Sequence, residues 1–558
     1  MLDLAVLRAE PARVKAALAR RGVRAEAVDA AVDLDRRWCA RQEVREALRT
    51  RRRRISDEVA RQKAGADDAE TEAPDLVRAG RRAARDLKAV EGAMRDLAAR
   101  REAALLALPN LPGTDVPDAP PDLDPSGPAW PHDFPPLPHW DLVEMLHLAA
   151  PAHGAGSGFL LWRGAGARLV RGLVQFMLDV HTEEDGREEI LAPPLATREA
   201  LTASAHLPTL EAMLLEVGGA SRDAPGATGG LPASAPRDAP SREREFAGTD
   251  DAPVPASRAK IAPPAEGTRE LTFAARTAGP GDADLFLAPR AEPHLATLYA
   301  DTVLEADRLP VRLVAATTAI RRAPHGGGAE GRGLLRLAAF PTVEVYTLCR
   351  PEASDDELQR AVAGAETILE RLGVAHRRRV RAATDLSHAA ARTVSLDVWC
   401  PGLPAREEDD EAPPSRVREH AGTDDAPAPA SRARIAPPVE GTRELTFAAR
   451  KEGEPGARGR WVEVAALSSF TDYQARRAAA EYRGEDGRTR LVHTVGGAAV
   501  AVPRLLAALL ETGQQADGSV RLPAALAAEV GVSVLGAGNS AARSRSRLVK
   551  PSQAHKTG

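Results

Sequence analysis

The residues best suited to chemistry lie between Arg312 and Tyr346 (RLVAATTAIRRAPHGGGAEGRGLLRLAAFPTVEVY), where Arg321 and Arg322 precede a loop rich in Gly and Arg and Arg336 follows it. Guanidinium groups hold phosphate or carboxylate in a planar fork, and glycine lets backbone approach a ligand closely. Together they suit a nucleoside triphosphate and the carboxylate that reacts with it. A surface hairpin with solvated arginines is the plainer alternative. The elements that must position these groups are two apolar runs, Leu313–Ile320 and Leu334–Tyr346. Their length and turn-rich boundaries predict antiparallel strands, with Arg321 and Arg322 at the hairpin mouth and Arg336 on the returning strand.

The chain has 558 residues, room for two or three domains at roughly 150 residues each. A net charge of −4 and a pI near 6.4 exclude a globally basic protein but leave space for a basic patch. Aromatic residues make up only 3%, so the cores must be built from Ala, Leu and Val. Cys39, Cys349 and Cys400 lie far apart with no C-x-x-C pair, which points to a reduced, cytosolic setting and away from a thiolate zinc site. The N-terminal residues have no apolar signal region, and no run of 18 apolar residues occurs. Neither a signal peptide nor a membrane span is expected.

Residues 1–110 read as a helical arm. Pro11 suits the first turn of a short helix reaching Gly22. From about Ala27 to Ala64 neither Gly nor Pro occurs, and a 3/4 spacing runs through Leu34, Trp38, Arg41, Arg45, Leu48, Arg52, Ile55 and Val59. After a polar turn the spacing returns through Leu76, Gly80, Ala83, Leu87, Val90, Met94 and Leu97. Two such helices form an antiparallel coiled coil, weakened here by three arginines on its first seam. The arm holds 25 Lys and Arg against 19 Asp and Glu, with Arg51, Arg52, Arg53, Arg54, Arg61 and Lys63 towards its tip. A basic, protruding arm can grip nucleic acid by its phosphates; a solvated face or a dimerisation rod is the alternative.

A Pro/Asp linker then runs to His139-Trp140, where a helix begins. A strand is expected at Gly158–Leu161, a helix over Ala167–Thr182 with Leu169, Leu173, Phe176, Met177 and Val180 on its apolar face, and a strand at Glu188–Pro193. Residues 241–276 recur at 415–450, identical at 31 of 36 positions. Two copies are too few for a solenoid, and their Pro/Ala/Asp/Arg composition predicts disordered insertions, with a duplicated docking motif around RELTFAAR as the alternative.

With these parts in order, the chain resembles a seryl-tRNA synthetase of the bacterial type, a class II aminoacyl-tRNA synthetase. MLDLAVLRAEPARVKAALARRG and PNLPG resemble the family's tRNA-binding arm and its exit. GARLVRGLVQFMLDVHTEEDG followed by Pro193 resembles the dimer-forming first class II motif. LAPRAEPHLATLY, the RRA…EGRGLLR hairpin, DVWCPG, FTDYQARR, LVHTVGG and QQADGSVRLP follow in the family's order. The resemblance implies an α+β fold, a coiled-coil arm (1–110) and a class II catalytic domain (111–530) on a mixed, mainly antiparallel sheet. It leaves disordered insertions at 219–281 and 404–459 and a basic disordered tail at 531–558. It also implies a cytoplasmic homodimer whose partners are tRNA and serine or another small amino acid.

By resemblance, Arg321 bridges the α-phosphate of ATP and the serine carboxylate, Arg504 holds the γ-phosphate, and Arg336 faces phosphate. Phe340 stacks on adenine, Glu463 takes the Mg²⁺ position, and Glu344 and Glu292 serve the amino-acid side. The implied reaction makes seryl-adenylate and then charges tRNA, which needs charge neutralisation and positioning more than a protonic catalyst. Several positions depart from the family pattern. Ala323 replaces a glutamate that reads adenine, and Ala338-Ala339 a His-Gln pair. Arg290-Ala291-Glu292 replaces Thr-Ala-Glu, and Gly496-Gly497-Ala498 replaces Asn-Gly-Ser. Ala465-Ala466-Leu467 replaces a serine-rich strand and a second metal ligand, Ser204-Ala205-His206 replaces Thr-Gly-Gln, and Pro503 replaces a glycine. The arginines facing phosphate remain while groups that read serine are mostly lost, at about 0.5–1.5 kcal/mol per hydrogen bond. Two alternatives therefore stand beside the serine ligase: a catalytically impaired paralogue that binds tRNA or a protein, and an activating enzyme for another amino acid.

Overall fold

The computed structural model describes residues 1–64, 74–124, 127–155, 158–217, 284–322, 333–404 and 459–536. Residues 216–285 separate as a second unit, of which Glu216, Val217, Asp284 and Leu285 are described. Both copies of the repeated segment, the loop containing Ala323 and the tail beyond 536 lie outside the described residues.

Helices α1 (Leu4–Ala9) and α2 (Pro11–Ala19) lead into the arm, with Pro11 in the first turn of α2 as expected. The arm is α3 (Ala25–Ala64) followed by α4 (Pro74–Ala107). Arg101 pairs with Asp35, Arg49 with Glu91, and Gly80 lies against Ile55, so one helix descends as the other climbs. Ala83, Leu87 and Met94 are buried on α4, whereas Arg41 and Arg52, expected on the facing seam, are exposed. A guanidinium gains more from water than from an apolar seam, so those side chains turn outward.

The arm is fixed at its root. Arg21 donates to the carbonyls of Asn110 (2.6 Å), Leu386 (2.9 Å) and Ser387 (2.7 Å). The Asn110 amide donates to Ala389 O and Phe470 O, both at 2.9 Å. Burial lowers Arg21 to about 10, which leaves it charged at neutral pH.

Among the described residues the central sheet has seven strands: β1 (Glu188–Glu189), β2 (Val311–Ile320), β3 (Ala339–Cys349), β4 (His376–Val380), β5 (Arg392–Cys400), β6 (Arg460–Thr471) and β7 (His493–Ala501). Their order is β4-β5-β6-β7-β3-β2-β1, antiparallel throughout except for the β1–β2 pair. The mixed, mainly antiparallel sheet expected from sequence is what forms. Helices α5 (Ala165–Asp179), α6 (Ser354–Arg371) and α7 (Val502–Thr512) cover it through one apolar cluster that includes Leu169, Leu173, Met177, Leu358, Leu505 and Leu509.

Three local expectations need correction. The returning strand of the hairpin begins at Ala339, so Arg336 lies in the turn before it. The strand at 188–193 is only Glu188–Glu189, with one further bond from the Ile190 N–H to Val314 O at 2.8 Å, and Pro193 and Pro194 have no N–H to extend the ladder. The tail expected from 531 contains ordered residues, because Val534–Leu535 pairs with Val520–Arg521 and buries Leu535.

Candidate active site

Strand β3 is the axis of the site. Phe340, Thr342, Glu344 and Tyr346 alternate along it and therefore share one face. The first three line a cavity of about 510 Å³. Phe340 stands at one end and Glu344 at the other. Of the residues expected to act in the site, the structure gathers Arg321, Phe340, Arg504, Glu463, Glu344 and Glu292 around this space.

Arg321 follows the last residue of β2, and its N–H donates to Ala338 O at 2.9 Å, closing the hairpin mouth. Its guanidinium carbon lies 5.2 Å from the centre of the Phe340 ring. Arg504 leaves the first turn of α7, where Pro503 fits because no N–H is needed. Arg504 Nη1 donates to Glu463 O at 2.7 Å and Nε to Leu335 O at 3.4 Å. Arg336 is exposed outside the cavity lining, yet its charge reaches both other arginines. Burial, then the charges of Arg290, Arg504 and Arg336, bring Arg321 down to about 10. Arg504 is lowered as well, by burial first, although Glu463 pulls it back up.

The opposite end holds carboxyls with too few donors. Glu344 Oε2 accepts the Glu292 N–H at 3.0 Å. Its Oε1 and the Thr342 hydroxyl are buried without a hydrogen-bond partner. Burial pushes Glu344 up to about 7 against the opposing charge of Arg290, whose Nε is 4.0 Å from Oε1. Glu292 is also raised by burial, though it accepts from Gln474 Nε2 at 2.7 Å. Gln474 is fully engaged: Nε2 also donates to Ser204 O at 2.9 Å, and Oε1 accepts from Tyr346 (2.8 Å) and Thr494 (3.1 Å). The wall between the two ends is made of Ala465, Ala466, Gly497 and Ala498. Gly497 has φ 142, and a Cβ there would meet Ala466 O at 2.2 Å, so the close strand approach requires glycine. Ala205 sits at φ 66, a conformation that favours glycine. Beside it His206, 2.9 Å from the Ser204 hydroxyl, falls to about 3 by burial and the charge of Arg290, and is a neutral imidazole.

Glu463 lies on β6 directly across from Asp397 of β5, beside a bulge at Val464. Arg381 Nη2 reaches Glu463 Oε1 at 2.5 Å and Arg379 Nη2 reaches Oε2 at 3.2 Å. Burial would raise this carboxyl, but Arg381, with Ser395 and Arg504, holds it below the ordinary value. Arg379 and Arg381 were not among the expected site residues. Their signal is present in HRRRVR, where cations at every second position of a strand must share one face. Thr342 and Gln474 were also not anticipated, and Thr342 follows from the same alternation that places Glu344.

On the arm, Arg51, Arg52, Arg53, Arg54 and Arg61 are exposed along α3, while the side chain of Lys63 lies outside the described residues. No helix among the described residues is long and apolar enough to cross a membrane.

Two family models match the chain: the seryl-tRNA synthetase N-terminal domain over residues 1–112, and the tRNA synthetase class II core domain (G, H, P, S and T) over 276–513. The chain is 31% identical over 549 residues to the serine–tRNA ligase of Gemmatimonas aurantiaca, spanning 96% of this chain and 100% of that one. It is 30% identical to the serine–tRNA ligase of a Roseiflexus species, over 94% of this chain and 97% of the relative. Its fold is similar to that of seryl-tRNA synthetase from Pyrococcus horikoshii complexed with ATP, with TM-score 0.67 at 21% identity over 96% of this chain and 99% of that one. The cytoplasmic serine–tRNA ligase of Naegleria fowleri in complex with AMP gives TM-score 0.63 at 18% identity, over 96% and 98% of the two chains. An arm and a class II core matched in series, a relative aligned end to end, and arginines and carboxyls facing across one cavity agree: the chain belongs to the seryl-tRNA synthetase family.

Proposed function

We propose that this protein activates serine with ATP and transfers it to tRNA(Ser). A carboxylate oxygen of serine attacks the α-phosphorus, the bond to the β-phosphate breaks, and pyrophosphate leaves. A terminal ribose hydroxyl of the tRNA then takes the acyl group and AMP departs. The observation that carries this reading is the placement of Arg321 and Arg504 with Glu292 and Glu344 around a single cavity. Arg321 is the bridge between α-phosphate and amino-acid carboxylate, with Arg504 and Arg336 on the outer phosphates and Phe340 against adenine. The unpartnered Glu344 Oε1 and Thr342 hydroxyl are suited to a substrate ammonium, which would satisfy both.

The rest of the reading follows the family. The exposed arginines of α3 bind tRNA by its phosphates. A homodimer is supported by apolar side chains left outside on the segments before and after α5 in the chain: Leu161 is 58% exposed and Leu191 91%. Three free cysteines accord with a cytoplasmic setting. Mg²⁺ belongs to this reading only as a counter-ion carried by ATP, because Glu463 already holds two guanidiniums.

Serine-dependent ATP–pyrophosphate exchange tests the proposal, with Arg321→Ala as control. Exchange above the control is the expected result, and none above it removes the reading. A specific observation favours a second one. Arg290 stands beside Glu344, and Ala465 and Ala466 offer no hydroxyl, which fits a paralogue that binds tRNA without making adenylate. Retained tRNA binding with no exchange for any amino acid would select it.

A further inference from the structure

The surroundings of Glu463 do not fit a divalent cation held by the protein. Mg²⁺ requires near-octahedral oxygen ligands, with one or two carboxylates as the usual protein contribution. Here each Glu463 oxygen already accepts from a guanidinium, Oε1 from Arg381 at 2.5 Å and Oε2 from Arg379 at 3.2 Å. The facing carboxylate, Asp397, is taken by Arg377 and Arg379 at 3.4 Å. Of the residues after Glu463 on this strand that line the cavity, Val464, Ala465 and Ala466 have no side-chain oxygen, and the Ser468 hydroxyl is already paired with that of Thr393 at 2.8 Å. Among the described residues no group of three or more His, Cys, Asp or Glu side chains could hold a metal.

Charge argues the same way. Arg504 also touches this corner through the Glu463 carbonyl at 2.7 Å. Arg377, Arg379, Arg381 and Arg504 outnumber Glu463, Asp397 and the nearby Asp385, so a dication placed here would be repelled, while a phosphate would be attracted. Arg381 is not closed off from the ligand space: it lines the cavity, with Nε fixed by the Ser395 hydroxyl at 2.8 Å. Arg379 lies on strand β4 and Arg381 directly follows it, its N–H still bonded to Thr393 O at 3.0 Å, so the extended chain brings both side chains to one face.

We propose that Arg379 and Arg381 stand in the place of a protein-bound cation on Glu463, so that phosphate entering the cavity is met by the Arg381 guanidinium without a metal ligated by the protein. The ligand in this statement rests on the nucleotide reading above; the occupation of Glu463 does not. A guanidinium offers directed N–H donors and fixed charge, which suits a triphosphate.

Two measurements test it on the full chain. Calorimetry with ATP should give about equal affinity in excess Mg²⁺ and in EDTA. Arg381→Ala should weaken binding in EDTA by at least about tenfold, the worth of one charge-assisted hydrogen bond. Arg381→Lys, which keeps the charge, should recover part of the loss. ATP binding by the unaltered protein that appears only with Mg²⁺ overturns the proposal. The second measurement is Mn²⁺ titration of the nucleotide-free protein, followed by electron paramagnetic resonance. The unaltered chain and Glu463→Gln should take up Mn²⁺ alike; uptake that Glu463→Gln abolishes overturns the proposal. Absence of ATP binding in both buffers sinks the nucleotide reading, and the Mn²⁺ titration then decides the occupation of Glu463 by itself.

Discussion

At one end of the cavity stand Arg321 and Arg504, with the charge of Arg336 felt from outside the lining; at the other, Glu344 is enclosed with an oxygen that meets no donor. The first end is a surplus of positive charge in which carbonyls hold Arg504 while Arg321 Nε is buried without a partner, and Arg321 falls to about 10 because burial and its neighbours disfavour its charge. The second is a surplus of buried carboxyl, and Glu344 climbs to about 7. Each end is strained in the sense that a ligand of opposite charge would relieve. A molecule with phosphates at one end and an ammonium at the other answers both. The ends also differ in how far they keep the family pattern. On the resemblance read from the sequence, the phosphate arginines match the pattern, whereas Arg290 beside Glu344 and Ala465, Ala466 and Ala498 on the wall between the ends depart from it.

The contrast can be broken most sharply at the phosphate end. Arg321→Ala should lower amino-acid-dependent pyrophosphate exchange by about a hundred- to a thousandfold, as loss of one preorganised transition-state contact does. A change of only a few-fold would mean that the arginines are not clasping the reacting phosphate. At the other end the expected sign is reversed. Arg290→Thr removes the cation that competes for Glu344 and should raise serine-dependent exchange by about ten- to a hundredfold, the worth of a regained charge-assisted contact. Ala466→Ser restores one hydroxyl to the wall and should give a smaller gain, about three- to tenfold, measured the same way. If both substitutions leave serine exchange unchanged while another amino acid supports it, the pocket has been remade and not eroded.

The weakest effect is a pH dependence. Between 4.5, the ordinary value of a glutamate, and about 7, the folded chain keeps a proton on Glu344 that the unfolded chain releases. Stability from this group is therefore full below 4.5, declines as pH rises across that window and levels off above it. Glu344→Gln removes the decline. Its melting temperature relative to the unaltered protein should rise from pH 4.5 to 7 and then hold, as followed by circular dichroism. A flat difference would place the Glu344 carboxyl near its ordinary range.

Much of this arrangement was legible in the sequence, for reasons that differ by element. The hairpin carrying Arg321 and Phe340 could be read because apolar runs of strand length flank a Gly-rich turn, and that signal is local. The arm could be read from long 3/4 spacing, although Arg41 and Arg52 on the seam turned outward, since water competes for them. Arg336 was misplaced by a few residues because Leu334–Ala338 is apolar without being strand: Leu334, Leu335, Leu337 and Ala338 are buried in a turn. Periodicity registers burial, not backbone pairing. The pairing of Arg379 and Arg381 with Glu463 depends on β4, β5 and β6 lying side by side, which no local spacing records. Asp397 and Glu463 become neighbours only through that register.

The root of the arm deserves to be considered as a joint. Arg21 and Asn110 hold Leu386, Ser387 and Ala389 by their carbonyls, and those same residues wall the cavity. Such a fastening behaves as a rigid bracket and not as a swivel. The bracket has redundant bolts, since Leu106 O and Leu108 O also accept from His388 at 3.0 Å and Tyr473 at 2.6 Å, so an Arg21→Ala chain would keep its rod anchored to the chamber lining.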